Sequence, residues 1–199
     1  MKARTRAAAV FLDRDGTLVR DVGYLRCVAQ LEVLAGVPQA LVLLRDFGFK
    51  LVVVTNQSAV ARGWLSEEEL GRIHDTLAAE LARGGARLDR IYYCPHHPTE
   101  GNGPYRIECA CRKPKTGMIE RACAELGVDP ALSYVVGDQG SDMEMARRVG
   151  AIAVRITTEN KPGCETGLAQ SATAVNLTAA ARWIVGHASG KAEGARAQS

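Results

Sequence analysis

Short apolar runs alternate with longer stretches whose apolar residues recur at helical spacing, from one end of the chain to the other. Ala7–Leu12, Leu51–Val54 and Tyr134–Val136 are continuous and apolar, which is the pattern of strands buried on both faces, and Leu88–Tyr93 reads as a further strand. Ile152–Val154 and Ala174–Leu177 read as two further short strands. Val37, Leu41, Leu44 and Phe47 mark a helix over 36–47, with Pro38 in its first turn and Gly48 past its end. Ser66 and Glu69 form a capping box that opens a helix to about Arg83, where Gly84-Gly85 stops it. Helices follow at Thr116–Leu126, closed by Gly127, at about Ser141–Val149, and over roughly Ala179–Gly186.

This alternation predicts an α/β fold, a doubly wound, mostly parallel sheet with helices on both faces. One domain is expected over 1–187, without a separate cap domain, and the polar, small-residue segment 188–199 reads as a disordered tail. The longest stretches without periodicity are Arg20–Gln30 and Cys94–Lys115, and long structureless loops in a compact domain are usually functional.

Composition changes this picture little. The 199 residues suffice to bury roughly 70% of the unfolded surface. The net charge of +3 is small and its cations are scattered, so no nucleic-acid stripe is expected. No apolar run approaches the ~20 residues that span a bilayer. The basic N-terminus runs into a strand carrying Asp13 and Asp15, which does not read as a signal peptide. A cytoplasmic, monomeric protein without membrane contact is the expectation.

The chemistry gathers where strands end. Asp13 and Asp15 follow the first strand, Thr55 and Asn56 the second, and Asp138 and Asp142 the fourth. Parallel strands bring those carboxyl ends to one edge, where ligands bind. Carboxylates at such spacing repel unless a cation neutralises them. Together with Arg112-Lys113 the set suits phosphoryl transfer, which is mostly positioning and charge neutralisation. The bland alternative for Asp15-Gly16 is ordinary turn chemistry. Asp142 has two readings, a metal partner through water or a first-turn acid on a helix dipole.

Asp13-Arg14-Asp15-Gly16-Thr17, Thr55-Asn56, Lys113, and Gly137-Asp138 with Asp142 resemble, in order and spacing, the four motifs of the haloacid dehalogenase-type phosphatases. The resemblance implies Asp13 as nucleophile and Asp15 as general acid and base. It also implies Thr55 and Lys113 on the phosphoryl group, and Mg²⁺ held by Asp13, the Asp15 carbonyl and Asp138.

Three of the six cysteines fall in one loop with a histidine pair. Cys94 and His96 or His97, then Cys109 and Cys111, have the composition of a closed tetrahedral Zn²⁺ site with a structural role. The resemblance places the imidazole ligand at His96. Because Cys111 directly precedes Arg112-Lys113, fixing the loop is expected to fix the phosphate-binding lysine. Cys27, Cys123 and Cys164 read as ordinary side chains, and His74 and His187 as surface or boundary residues.

The zinc loop, with Gly23-Tyr24-Leu25 and Thr55–Ser58, resembles one branch of this family, whose members act on histidinol phosphate or a heptose bisphosphate. The long insert Thr99–Glu108 favours the heptose side, implying a sugar bisphosphate substrate that loses its C7 phosphate. The resemblance places substrate contacts on Asp21, Val22, Gly23, Tyr24, Thr55, Asn56, Gln57, Ser58, Arg112, Lys113 and Gln139. Trp64 could join them or pack beside Gly63. Two residues depart from the family pattern: Ala59 stands where glycine is frequent, and Gln139 where lysine is. A competing class is a zinc-stabilised interaction module that has lost catalysis; retention of both Asp13 and Asp15 argues against it.

Overall fold

The computed structural model describes residues 6–157 and 171–196; of 192–196 only the helical backbone is described, and Cys164 lies outside the described residues. Six strands, β1 (Ala9–Leu12), β2 (Lys50–Asn56), β3 (Arg90–Cys94), β4 (Tyr134–Gly137), β5 (Ile152–Ile156) and β6 (Ser171–Ala174), form one sheet in the order β3-β2-β1-β4-β5-β6. Every pairing between them is parallel. The helices are α1 (Val37–Asp46), α2 (Glu67–Arg83), α3 (Gly117–Leu126), α4 (Gly140–Val149) and α5 (Leu177–Arg196).

Strand alternation divides the core in two. Val10, Leu12, Leu51, Val53 and Val136 pack on one face with Leu41, Leu44, Leu70, Ile73 and Leu77 of α1 and α2, and with Ala180, Ala181 and Ile184 of α5. Phe11, Val52, Val54, Val135 and Ala153 pack on the other with Met118, Ile119 and Ala122 of α3 and Met143 and Ala146 of α4. The chain therefore winds one way from β1 to β3, crosses beneath through α3, and winds the other way from β4. The strand order reverses between β1 and β4, so the crevice past their carboxyl ends is a ready ligand site.

The local signals act as read. Ser66 Oγ accepts from Glu69 N, closing the capping box of α2. Gly127 sits past α3 at φ 66°, a left-handed conformation that glycine adopts without steric cost. Two bounds differ. The last strand is Ser171–Ala174 rather than 174–177: as an edge strand it is half exposed, so Ser171 and Thr173 serve where an apolar run was expected, while Val175 is 58% exposed beyond it. Helix α5 runs to Arg196 instead of ending near Gly186, so much of the segment read as a disordered tail is helical. Ala188 packs on the α1–α5 face, and this burial favours helix beyond Gly186.

Candidate active site

Asp13 leaves the end of β1 with its amide donating to Val136 O of β4, which fixes the carboxylate at the crevice. Its Oδ1 accepts from the Arg14 amide at 2.7 Å and meets Lys113 Nζ at 2.8 Å. Lys113 Nζ also lies 2.7 Å from Asp142 Oδ1. All three side chains are buried, Asp142 completely. Burial alone would lower the Lys113 pKa, but the charges of Asp13 and Asp142 outweigh it and hold the ammonium above its ordinary value. Burial, then the Asp13 charge, push Asp142 up to about 7 against the pull of Lys113.

Asn56, the last residue of β2, holds the lysine in place through its backbone. Lys113 N donates to Asn56 Oδ1 at 3.0 Å, and Asn56 Nδ2 donates to Lys113 O at 3.2 Å. Asp142 likewise has a second task, accepting from the Gln139 amide at 3.1 Å at the start of α4. It is thus both a first-turn acid and a lysine partner. Two glycines of the motifs are explained by close approach. A Cβ on Gly137 would lie 2.4 Å from the Asp142 carboxyl carbon. Gly16, at φ 75°, would place one 2.8 Å from Asp138 Oδ2.

On the other side of Asp13 a second network surrounds Asp15. The fully buried Arg14 guanidinium forks onto it, with Nη2 2.9 Å from Asp15 Oδ2 and Nε 3.2 Å from Oδ1. Arg14 Nη2 also donates to Gln57 Oε1 at 2.8 Å. Gln57 Nε2 in turn donates to Asp15 Oδ2 at 2.8 Å and to Thr55 Oγ1 at 2.9 Å. The Gln57 amide is therefore committed to protein partners, although it borders the cleft.

A cleft of about 380 Å³ opens over these groups. Asp13, Asp15, Thr55, Asn56, Gln57 and Ser58 form its floor. Asp21, Gly23 and Tyr24 border it from the loop after β1, and Arg112, Lys113, Asp138 and Gln139 from the opposite side. Val22 is 38% exposed and is not part of the lining. Gly23, at φ 77°, donates its amide to Asp21 Oδ1 at 2.8 Å, a turn that shapes this rim. Tyr24 meets Trp64 edge-on with centroids 4.8 Å apart, so Trp64 buttresses the rim. Gln139 Nε2 donates to Asp138 Oδ2 at 2.8 Å. Ala59 is buried, and no described non-glycine residue has positive φ, so the methyl causes no backbone conflict there.

Among the described residues, two clusters could hold metal ions. Asp13, Asp138 and Asp142 each offer a carboxylate oxygen, all within 4.8 Å of one another. Such a hard oxygen set suits Mg²⁺. Cys94, His96, Cys109 and Cys111 converge equally closely. His96 Nδ1 lies 3.4 Å from Cys111 Sγ, and Cys94 Sγ lies 3.5 Å from Cys109 Sγ. His97 turns away and accepts on Nδ1 from the amides of Thr99 and Glu100. Burial, with the neighbouring Cys111 thiol, raises the Cys94 pKa, and burial raises that of Cys111. A bound dication would reverse that and hold both as thiolates. The four-ligand sulfur and nitrogen set fits Zn²⁺.

The cysteine loop also grips the turn after β2. Ala61 N donates to Pro95 O, Asn102 N to Ala61 O, and Arg62 pairs with Glu100. Arg112 Nη1 donates to His96 O at 3.1 Å, tying that side chain to the cluster.

Sequence reading gave Arg14 no role, and it misplaced His74. Far from being a surface or boundary residue, His74 is buried on α2 and its Nε2 lies 3.3 Å from Arg14 Nη1. Its neighbours at helical spacing, Leu70 and Leu77, were the available signal. His187 is partly buried and its Nδ1 lies 2.8 Å from Tyr134 Oη.

The HAD-hydrolase-like family pattern matches residues 110–180. A D-glycero-beta-D-manno-heptose-1,7-bisphosphate 7-phosphatase of Haemophilus ducreyi is 48% identical over 143 residues, covering 71% of this chain and 78% of that protein. The protein of the same name from Escherichia coli K12 is 45% identical over 138 residues, 69% of this chain and 72% of the relative. Among solved structures, a D,D-heptose 1,7-bisphosphate phosphatase from B. bronchiseptica, complexed with magnesium and phosphate, superposes with a TM-score of 0.79 at 32% identity. That match covers 90% of this chain and 99% of the other. No described helix is long and apolar enough to cross a membrane. The chain belongs to the D-glycero-β-D-manno-heptose-1,7-bisphosphate 7-phosphatase family of the HAD-like hydrolases.

Proposed function

We propose that this chain is a Mg²⁺-dependent phosphomonoesterase that removes the C7 phosphate of D-glycero-β-D-manno-heptose 1,7-bisphosphate and leaves the 1-phosphate in place. The observation that carries this is the convergence of Asp13, Lys113 and Asp138 in one cleft at the reversal of strand order. The relatives named for that reaction span most of the chain.

Asp13 is the nucleophile. Its Oδ1 is held by the Arg14 amide and by Lys113, which leaves Oδ2 to attack phosphorus in line. The Lys113 ammonium, already fixed by two carboxylates and by Asn56, stabilises the charge on the transferring phosphoryl oxygens. Thr55 Oγ1 adds a hydroxyl on the same floor. Asp15 donates a proton to the leaving sugar alkoxide. It then accepts one from the water that hydrolyses the aspartyl-phosphate on Asp13. Mg²⁺, held by Asp13, Asp138 and the Asp15 carbonyl, would neutralise charge on the phosphoryl group. Arg112 offers the sugar or its second phosphate a planar fork. Asp21, Gly23 and Tyr24 form the opposing rim, and Gln139 supplies a neutral side chain at the far wall.

The cysteine cluster takes Zn²⁺ as a structural ion, because all four ligand positions are filled by protein. The test is phosphate release with Mg²⁺ from the α- and β-heptose 1,7-bisphosphates and from histidinol phosphate, with Asp13→Asn as control. The β-anomer should lead in kcat/KM by about 100-fold over histidinol phosphate, equivalent to about 2.7 kcal/mol of transition-state discrimination. A lead for histidinol phosphate would sink the substrate assignment and leave the nucleophile standing.

A further inference from the structure

Arg14 is fully buried beside the carboxylate assigned the acid–base role, and each of its three guanidinium nitrogens has a partner. Nε and Nη2 reach Asp15, Nη2 also reaches Gln57, and Nη1 reaches His74 on α2. A guanidinium only donates, so the ring nitrogen facing it, His74 Nε2, must be the unprotonated one. The ring is held by a helix whose apolar face is buried in the sheet, and it lies against Tyr93 with centroids 5.6 Å apart. Gln57 closes the circuit: its oxygen faces the arginine, its nitrogen faces Asp15 and Thr55, and the reverse orientation would set donor against donor. Asp15 itself is the most exposed member of the pair, with a side-chain accessibility of 25% against 1% for Arg14. The carboxylate that must reach the leaving group is thus steered entirely from behind.

We propose that His74 is a positioning residue for the acid–base step: by accepting from Arg14 it fixes the guanidinium fork that aims Asp15 into the cleft. The inference rests on the assignment of Asp15 as the proton donor and acceptor. The chemistry suits a permanently neutral acceptor. Burial, then the charge of Arg14, lower the His74 pKa to about 3, so the ring does not compete with the arginine for protons at working pH. A carboxylate at this position would instead neutralise Arg14 and weaken its hold on Asp15.

The test reads the leaving-group dependence of the reaction. An alkyl phosphate such as the sugar bisphosphate needs a proton on its departing oxygen, whereas 4-nitrophenyl phosphate departs as a stable anion. His74→Phe keeps an aromatic ring against Tyr93 and removes the acceptor. With this variant kcat for the alkyl substrate should fall about 10- to 100-fold with KM held within about twofold. The loss on 4-nitrophenyl phosphate should be several-fold smaller. His74→Gln, which presents an amide oxygen near the position of Nε2, should restore most of the alkyl activity. Asp15→Asn is the reference, since it should show the same leaving-group bias in larger measure. If Asp15→Asn shows the bias and His74→Phe slows both substrates equally or neither, the positioning role is overturned. If Asp15→Asn shows no bias, the acid–base assignment itself has failed and the inference goes with it. A measurement on the unaltered enzyme guards against a variant that does not fold. ¹⁵N NMR should find His74 neutral with Nε2 unprotonated between pH 5 and 8; an Nε2-protonated tautomer would overturn the proposal.

Discussion

Among the described residues, side chains able to ligate a metal gather in two places, and the two are built from opposite chemistry. The cysteine cluster has three sulfurs and one imidazole with no cation among them, set beside the cleft rather than in it. The aspartate cluster has hard oxygens, shares its space with a lysine ammonium, and opens into the cleft. A soft, closed site fixes a loop; a hard, open site leaves room for a substrate oxygen. They meet at one point in the sequence, where Cys111 is followed by Arg112 and Lys113. Under the proposed function the first cluster sets the position of Lys113 without taking part in the chemistry.

The comparison breaks most completely at the nucleophile. Asp13→Asn should cut turnover by about 10⁴-fold or more in a phosphate-release assay, because in the proposed mechanism Asp13 forms the covalent intermediate. Zinc content, read by atomic emission, should stay at that of the unaltered protein. Loss of zinc along with activity would show that the two clusters fold as one unit.

Next is the lysine both halves depend on. Lys113→Met should lower kcat by about 10²- to 10³-fold through the lost oxyanion partner. It should also cost about 3–5 kcal/mol of stability in urea melts, since it strands Asp13 and Asp142 as buried like charges. A variant as stable as the parent would mean that Asp142 is protonated in the fold.

The soft cluster is then probed directly. Cys111→Ser should lower zinc occupancy and, through Lys113, reduce kcat by about 10- to 100-fold. Full activity in the zinc-free protein would separate the clusters altogether.

The smallest effect concerns His74 and pH. Its pKa is lowered on folding from 6.5 to about 3, so the unfolded chain binds a proton that the folded chain refuses. Stability from this group is complete above pH 6.5 and falls as pH drops towards 3. By pH 5 the loss is about 2 kcal/mol, and His74→Gln should abolish that part of the acid sensitivity in denaturant titrations.

Much of the site was legible because its chemistry sits at places that hydrophobic pattern locates. Asp13, Thr55 and Asp138 each end an apolar run, and parallel strands bring such ends together. The cysteine cluster was legible because its four residues fall within one short span of sequence, 94–111. Residues that act across the sheet were not. The pairing of Asn56 with the Lys113 backbone and the grip of His74 on Arg14 join residues far apart in sequence. The resemblance pointed to His96 over His97, and the fold supplies the physical reason: His97 spends its Nδ1 on the amides of its own loop.

By itself the sequence determined the parallel α/β architecture, the helix caps, the acidic strand ends and the ligand types of both clusters, because these follow from local periodicity and side-chain chemistry. Only the tertiary structure decided which polar groups share a buried space. It gave Asp142 to Lys113, Gln57 to Asp15 and His74 to Arg14. Inside a folded chain each buried donor and charge must find a partner, and which partner is within reach is set by packing between elements rather than by distance along the sequence.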